Sequence, residues 1–161
     1  MLEAAFPAIA AEALCLDPLR DYVESPDSLT TVAHGYDERG WRWFGLYGGT
    51  QDHAQRRARC PAAAQACAAV PGMRNAGLSL FRPGTHLYPH AGELSGVLRC
   101  HLPLVVPEGD VAIRFGDAMG GWDTRRWQTG RCMVFDDTCE HEAWNRSDQD
   151  RVVLIITFAR T

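Results

Sequence analysis

The chain has 161 residues, 46% of them apolar and 22% charged, with a net charge of −4. That length supports a genuine hydrophobic core. No apolar run is long enough to span a bilayer as a helix, and the acidic balance argues against nucleic acid, which binds to basic faces. All sixteen basic residues are arginine. The apolar N-terminus carries Glu3 and Glu12 and no leading basic cluster, so it reads as a docked helix rather than a signal peptide. The six cysteines form no CxxC and no zinc-finger spacing. Reduced thiols in a cytoplasm are the expectation, with pairing of Cys60 and Cys67 left open.

In chain order, residues 2–16 place Leu2, Ala5, Phe6, Ile9, Ala13 and Leu16 close to a helical stripe, which Asp17-Pro18 ends. From Leu29 to Tyr47 the pattern turns to β, through Thr30 to Val32, a YDERG turn and WRWFGLYG. Residues 51–70 read as helical, at least from Pro61, with Pro71-Gly72 as the stop and His53 as a solvated side chain. From Asn75 onward the chain is short apolar runs punctuated by turns: GLSLF, THLYP, SGVLRCHLPLVV, VAIRF, RWQTG, CMVFDD, HEAW and RVVLIITFA. Strands spaced so closely predict a mainly β fold with flanking helices. Residues 1–72 would form a helical and strand part packed on a barrel spanning 73–161.

Two histidines stand out within this framework. His90 sits between Pro89 and Ala91-Gly92, and His141 lies in the strand-like CEHEAW, where Glu140, Glu142 and Trp144 take the opposite face. Imidazole pairs of this kind suit iron, copper, nickel or zinc, usually with a carboxylate added. By spacing alone, two buried structural histidines fit as well. Cys139 could join a metal or be a buried thiol. Arg99 and His101 share one face of an apolar strand, and an inward guanidinium there needs an anion. Arg151 poses the same question, with pairing to Asp148 or Asp150 as the plain alternative. Ser79 could donate to the same anion or to local backbone.

The runs PGTHLYPHAG, LRCHLPLVVPEG and FDDTCEHEAWNRSDQDRVVLIITF, together with GWRWFGLYG and CPAAAQACAAVPG, resemble the aspartyl/asparaginyl β-hydroxylases, iron(II)- and 2-oxoglutarate-dependent oxygenases. The resemblance covers roughly Trp41 to Phe158. It implies a double-stranded β-helix, or jelly roll, with iron on His90 and His141 as the catalytic centre. It further implies the far carboxylate of 2-oxoglutarate on Arg151 and Ser79, and the near one steered by Arg99 and His101. Gly92 then stands where related oxygenases carry a carboxylate ligand, and Asp136 or Asp137 becomes a candidate to orient the imidazoles. With dioxygen, such a site hydroxylates a carbon and releases succinate and carbon dioxide.

The expected substrate is an Asp-, Asn- or His-like amino-acid residue, in a peptide, free or carrier-bound, with no membrane and no nucleic-acid partner; oligomeric state is left open. Val97 and Gly77 stand where acid-specific members place basic residues, so an acidic substrate would rely on Arg99, or on Arg39 or Arg42. Trp41, Trp43, Trp122 and Trp127 could line a peptide cleft. Two rival readings are an iron/2-oxoglutarate halogenase, with chloride in the vacancy at Gly92, and a non-catalytic metal-binding cupin-like module.

Overall fold

The computed structural model describes residues 1–24, 40–49, 52–92, 95–117 and 119–160. Helix α1 (Leu2–Leu14) buries Ile9 and Ala13 and ends at Cys15. Helices α2 (Ala54–Arg59) and α3 (Pro61–Ala68) meet at Cys60, with proline in the first turn of α3. Pro61 has no N–H to leave unsatisfied there. The α3 amides of Ala62 and Ala63 donate to the Glu12 carboxylate at 2.7 and 3.0 Å, which caps α3 and ties it to α1.

Among the described residues, ten strands form two antiparallel sheets. Strands β1 (Val23–Glu24), β2 (Trp41–Tyr47), β3 (Met73–Phe81), β5 (Val97–Val105), β8 (Met133–Phe135) and β10 (Arg151–Ala159) make the larger, in the order β1-β2-β3-β10-β5-β8. Strands β4 (His86–His90), β6 (Val111–Gly116), β7 (Trp122–Arg125) and β9 (His141–Asn145) make the smaller, in the order β4-β9-β6-β7. The two sheets face each other as a jelly roll, with the helices outside the larger one.

The period-2 geometry of a strand explains why β10 reads as an unbroken apolar run. Its Val152, Leu154 and Ile156 join a core with Leu78, Leu80, Cys100, Leu102 and the helices. Its other face, with Arg151 and Ile155, looks into the space between the sheets. There a second core gathers Phe81, Leu87, Ile113, Phe115, Trp127 and Phe135. Gly77 on β3 is glycine because the Trp43 ring lies where a Cβ would be.

Some expectations shift. Strand pairing at the end of β6 falls on Trp122–Arg125 and not on RWQTG, because Trp127 turns inward to become 4% exposed and Gly130 takes a positive φ of 77°. His53 is half-buried, with Nε2 3.0 Å from the Gly48 carbonyl, rather than solvated. Cys60 and Cys67 are both buried free thiols. The Thr30–Val32 strand and Tyr36 to Arg39 of the YDERG turn lie outside the described residues. Among the described residues, no helix is long and apolar enough to cross a membrane.

Candidate active site

A cavity of about 30 Å³ between the sheets is lined by His90, His141, Arg99, His101, Arg151, Ser79 and Trp41. Phe81, Leu87, Ile113, Trp127, Ala143 and Ile155 complete its walls. Two roomier cavities, of about 380 Å³ beside α1 and 370 Å³ beside Arg42 and Arg82, lie elsewhere and hold neither histidine.

His90 and His141 are register partners across β4 and β9, with ring centroids 4.3 Å apart. Each Nδ1 lies 2.8 Å from a carbonyl two residues upstream, Tyr88 O for His90 and Cys139 O for His141. A carbonyl only accepts, so each Nδ1 carries the proton and Nε2 is the nitrogen each ring offers a metal. Burial, then the neighbouring His90, hold the His141 pKa down to about 4, so the ring stays neutral near pH 7. These orienting carbonyls are fixed by backbone conformation, which no side-chain motif announces.

Asp137 takes up the space beside them. Its Oδ1 lies 3.7 Å from His141 Nε2, and its Oδ2 pairs with Arg99 at 2.8 Å. A Cβ on Gly92 would overlap this carboxylate, and the Gly92 amide donates to the Asp137 carbonyl at 2.7 Å. Gly92 is therefore glycine because a carboxylate from elsewhere in the chain fills its side-chain position. Asp136 is spent on Thr138 and Arg160 and serves the turn.

Arg151 is the least expected member by energetics. It is 1% exposed, and among the described residues no carboxylate reaches it, since Asp150 pairs with Arg82 instead. Its Nη2 donates to Ser79 Oγ at 3.4 Å, and Trp41 Nε1 donates to the same oxygen at 3.2 Å. The guanidinium lies 3.7 Å from the Phe81 ring centroid and 4.7 Å from that of Trp127. Its Nε and Nη1 have no hydrogen-bond partner, and burial pushes its pKa down to about 9. An unpaired buried cation is costly, so this position fits an incoming anion.

His101 is buried between Trp127 and Phe135. Trp127 Nε1–H donates to its Nδ1 at 3.3 Å, which puts the imidazole proton on Nε2, a buried atom without a partner. Burial first, then the charges of Arg99 and Arg151, push its pKa well below the usual value. The ring is a neutral donor facing the cavity. Trp127, which sequence reasoning held only as a possible cleft residue, sets this tautomer and covers Arg151.

The site thus brings together every anticipated iron and co-substrate residue, and Trp41. Arg42 does not join them: its Nη2 donates to the carbonyls of Leu19 and Tyr22 on the helical side. Cys139 is exposed rather than buried. Among the described residues, no three His, Cys, Asp or Glu side chains gather as a metal-holding cluster. An ion here would rest on two imidazoles and on ligands from outside the chain.

A family model for aspartyl/asparaginyl beta-hydroxylase matches residues 3–161. The chain belongs to this family. It is 36% identical over 165 residues to an ornithine lipid ester-linked acyl 2-hydroxylase of Rhizobium tropici, covering 99% of this chain and 56% of that protein. It is 33% identical over 128 residues to the Mus musculus aspartyl/asparaginyl beta-hydroxylase, covering 74% of this chain and 16% of that protein. The chain therefore spans little more than half the length of the first relative and a small part of the second. In fold it is similar to a Pseudomonas putida prolyl-4-hydroxylase, with TM-score 0.65 and 16% identity over 100% of this chain and 89% of that one.

Two outcomes follow from this geometry. An unfolded histidine takes its proton near pH 6.5, whereas folded His141 resists until about 4. The metal-free protein should keep its full stability above about pH 6.5 and lose it as pH falls toward 4, by roughly 3 kcal/mol from His141 alone. Buried His101 adds in the same direction. Urea unfolding at a series of pH values checks this, and a flat profile would mean that His141 is not shielded. Gly92→Ala, which overpacks against Asp137, should cost about 1–3 kcal/mol in the same assay; a change under about 0.5 kcal/mol would contradict the close approach.

Proposed function

We propose that this protein is an iron(II)- and 2-oxoglutarate-dependent dioxygenase that hydroxylates an unactivated carbon, with succinate and carbon dioxide as co-products. The observation that carries the reading is the pairing of two oriented histidines with a buried, carboxylate-free Arg151 in one cavity. Iron(II), 2-oxoglutarate and dioxygen would together supply the oxidising chemistry. His90 and His141 would hold the metal through Nε2. Arg151 and Ser79 would take the far carboxylate, for which Arg151 has two donor nitrogens, Nε and Nη1, in reserve. His101 would donate from Nε2 to the near carboxylate, with Arg99 sharing its charge between that group and Asp137. The apolar walls keep bulk water from the reacting centre.

For the substrate, the family reading is the β-carbon of an amino-acid residue, with Asp, Asn or His side chains as candidates. Among the described residues lining the cavity, Arg99 and Arg151 are the only arginines, and Arg99 already faces a carboxylate. This favours a neutral group over an acidic one. The same apolar walls favour a second reading, hydroxylation of a lipid acyl chain next to its carbonyl, as the name of the Rhizobium tropici relative states for that protein. Halogenation is disfavoured, because a chloride at the Gly92 position would meet the Asp137 carboxylate.

The test is aerobic incubation with iron(II), 2-oxoglutarate and a panel of Asp-, Asn- and His-containing peptides and ester-linked acyl lipids. One panel member should gain a single oxygen, matched by an equal amount of succinate, and Arg151→Met should reduce that yield at least a hundredfold. A chlorinated product in chloride buffer, or 2-oxoglutarate left unconsumed with every substrate, would contradict the assignment.

A further inference from the structure

On β9, His141 and Ala143 face the cavity while Glu142 and Trp144 face the opposite side of the small sheet. Glu142 is nonetheless 3% exposed. A buried carboxylate is tolerated only when both oxygens are satisfied, and here each oxygen goes to a different neighbouring strand. Oε2 accepts from His86 Nε2 on β4 at 2.9 Å, and Oε1 pairs with Arg114 Nη2 on β6. Arg114 is itself held over the Trp122 ring at 4.4 Å and near Trp144 at 5.8 Å, and His86 lies against Tyr88 at 4.4 Å. One side chain therefore fastens three strands from the back of the sheet.

Those strands are the ones that present the histidine pair. Among the described residues, β4 is an edge strand that pairs only with β9. Its register runs His86↔Trp144, Leu87↔Ala143, His90↔His141, so three steps on β4 oppose two on β9. This bulge between Leu87 and His90 brings His90 to the inner face, and it falls one residue after the His86–Glu142 contact. A bulge interrupts the ladder and leaves an edge strand less firmly registered. A side-chain link immediately before it supplies what the backbone lacks.

We propose that Glu142, with His86 and Arg114, is a positioning clamp that sets the register of β4 on β9 and so holds His90 opposite His141. The inference rests on the iron reading of that pair. It also makes a distinction within the site. The two histidines stand on the small sheet, whereas Arg151, Ser79, Arg99 and His101 stand on the large one. Loosening the clamp should weaken the metal site and spare the anion site.

The experiment compares wild type with Glu142→Gln, His86→Leu and His86→Gln. Three quantities are read: anaerobic iron(II) affinity by calorimetry, affinity of the metal-free protein for 2-oxoglutarate by tryptophan fluorescence, and amide exchange in β4 of the metal-free protein. Glu142→Gln and His86→Leu should weaken iron binding by about 10–100-fold. They should speed β4 exchange and leave 2-oxoglutarate affinity within about twofold. His86→Gln retains a donor toward Glu142 and should recover most of the iron affinity. Unchanged iron affinity in both disruptive variants overturns the clamp, as does a parallel loss of both affinities, which would mean general destabilisation. If wild type binds no iron, the functional reading fails separately. The β4 exchange rates then decide, and rates unchanged by Glu142→Gln would overturn the clamp.

Discussion

The structure depends on a buried guanidinium that no carboxylate of the described residues answers. Arg151 begins the central strand of the large sheet, and all but one of its nitrogens lack a hydrogen-bond partner. Its burial has offsets in two aromatic faces and a serine oxygen, and these do not replace a counter-charge. Natural cores seldom keep such a group unless it has work to do. The rest of the cavity is arranged around that demand: Trp127 covers the cation and fixes a neutral His101 beside it, and Trp41 orients the shared serine.

A second constraint is the division of labour between the sheets. The large sheet carries Arg151, Ser79, Arg99 and His101 and is stiffened on its far side by the helices and a continuous apolar core. The small sheet carries the histidine pair on two adjacent strands, one of them a bulged edge strand. Asp137 brings Arg99 of the large sheet to within reach of His141 of the small one. By filling the position of a Gly92 side chain, it also puts a carboxylate beside the histidine pair. Charge and shape at this point are set by one residue that belongs to neither histidine motif.

Much of this was legible in the sequence because a strand has a period of two. Parity placed Arg99 with His101, and separated His141 from Glu142, before any partner was known. The resemblance then supplied which of those faces is the cavity. What parity could not supply was the identity of cross-strand neighbours distant in sequence. The Asp137–Arg99 pair, the Trp127–His101 hydrogen bond and the outward cluster of His86, Glu142 and Arg114 all depend on how the sheets stack. Arg42 is a different case, because parity already set it apart from the cavity. Its strand position is one removed from Trp41, so it takes the opposite face, where its Nη2 donates to the Leu19 and Tyr22 carbonyls. The strand sought in RWQTG failed because aromatic burial at Trp127 overrode local β propensity.

The most direct test of the account is an anaerobic absorbance titration of the purified protein with iron(II) and 2-oxoglutarate. A visible metal-to-ligand charge-transfer band should develop in wild type only when both are present. His141→Ala should abolish it, and Arg151→Ala should require far more 2-oxoglutarate to reach it. No band in wild type at saturating iron(II) and 2-oxoglutarate would contradict the central claim, leaving two histidines and a buried arginine in need of another partner.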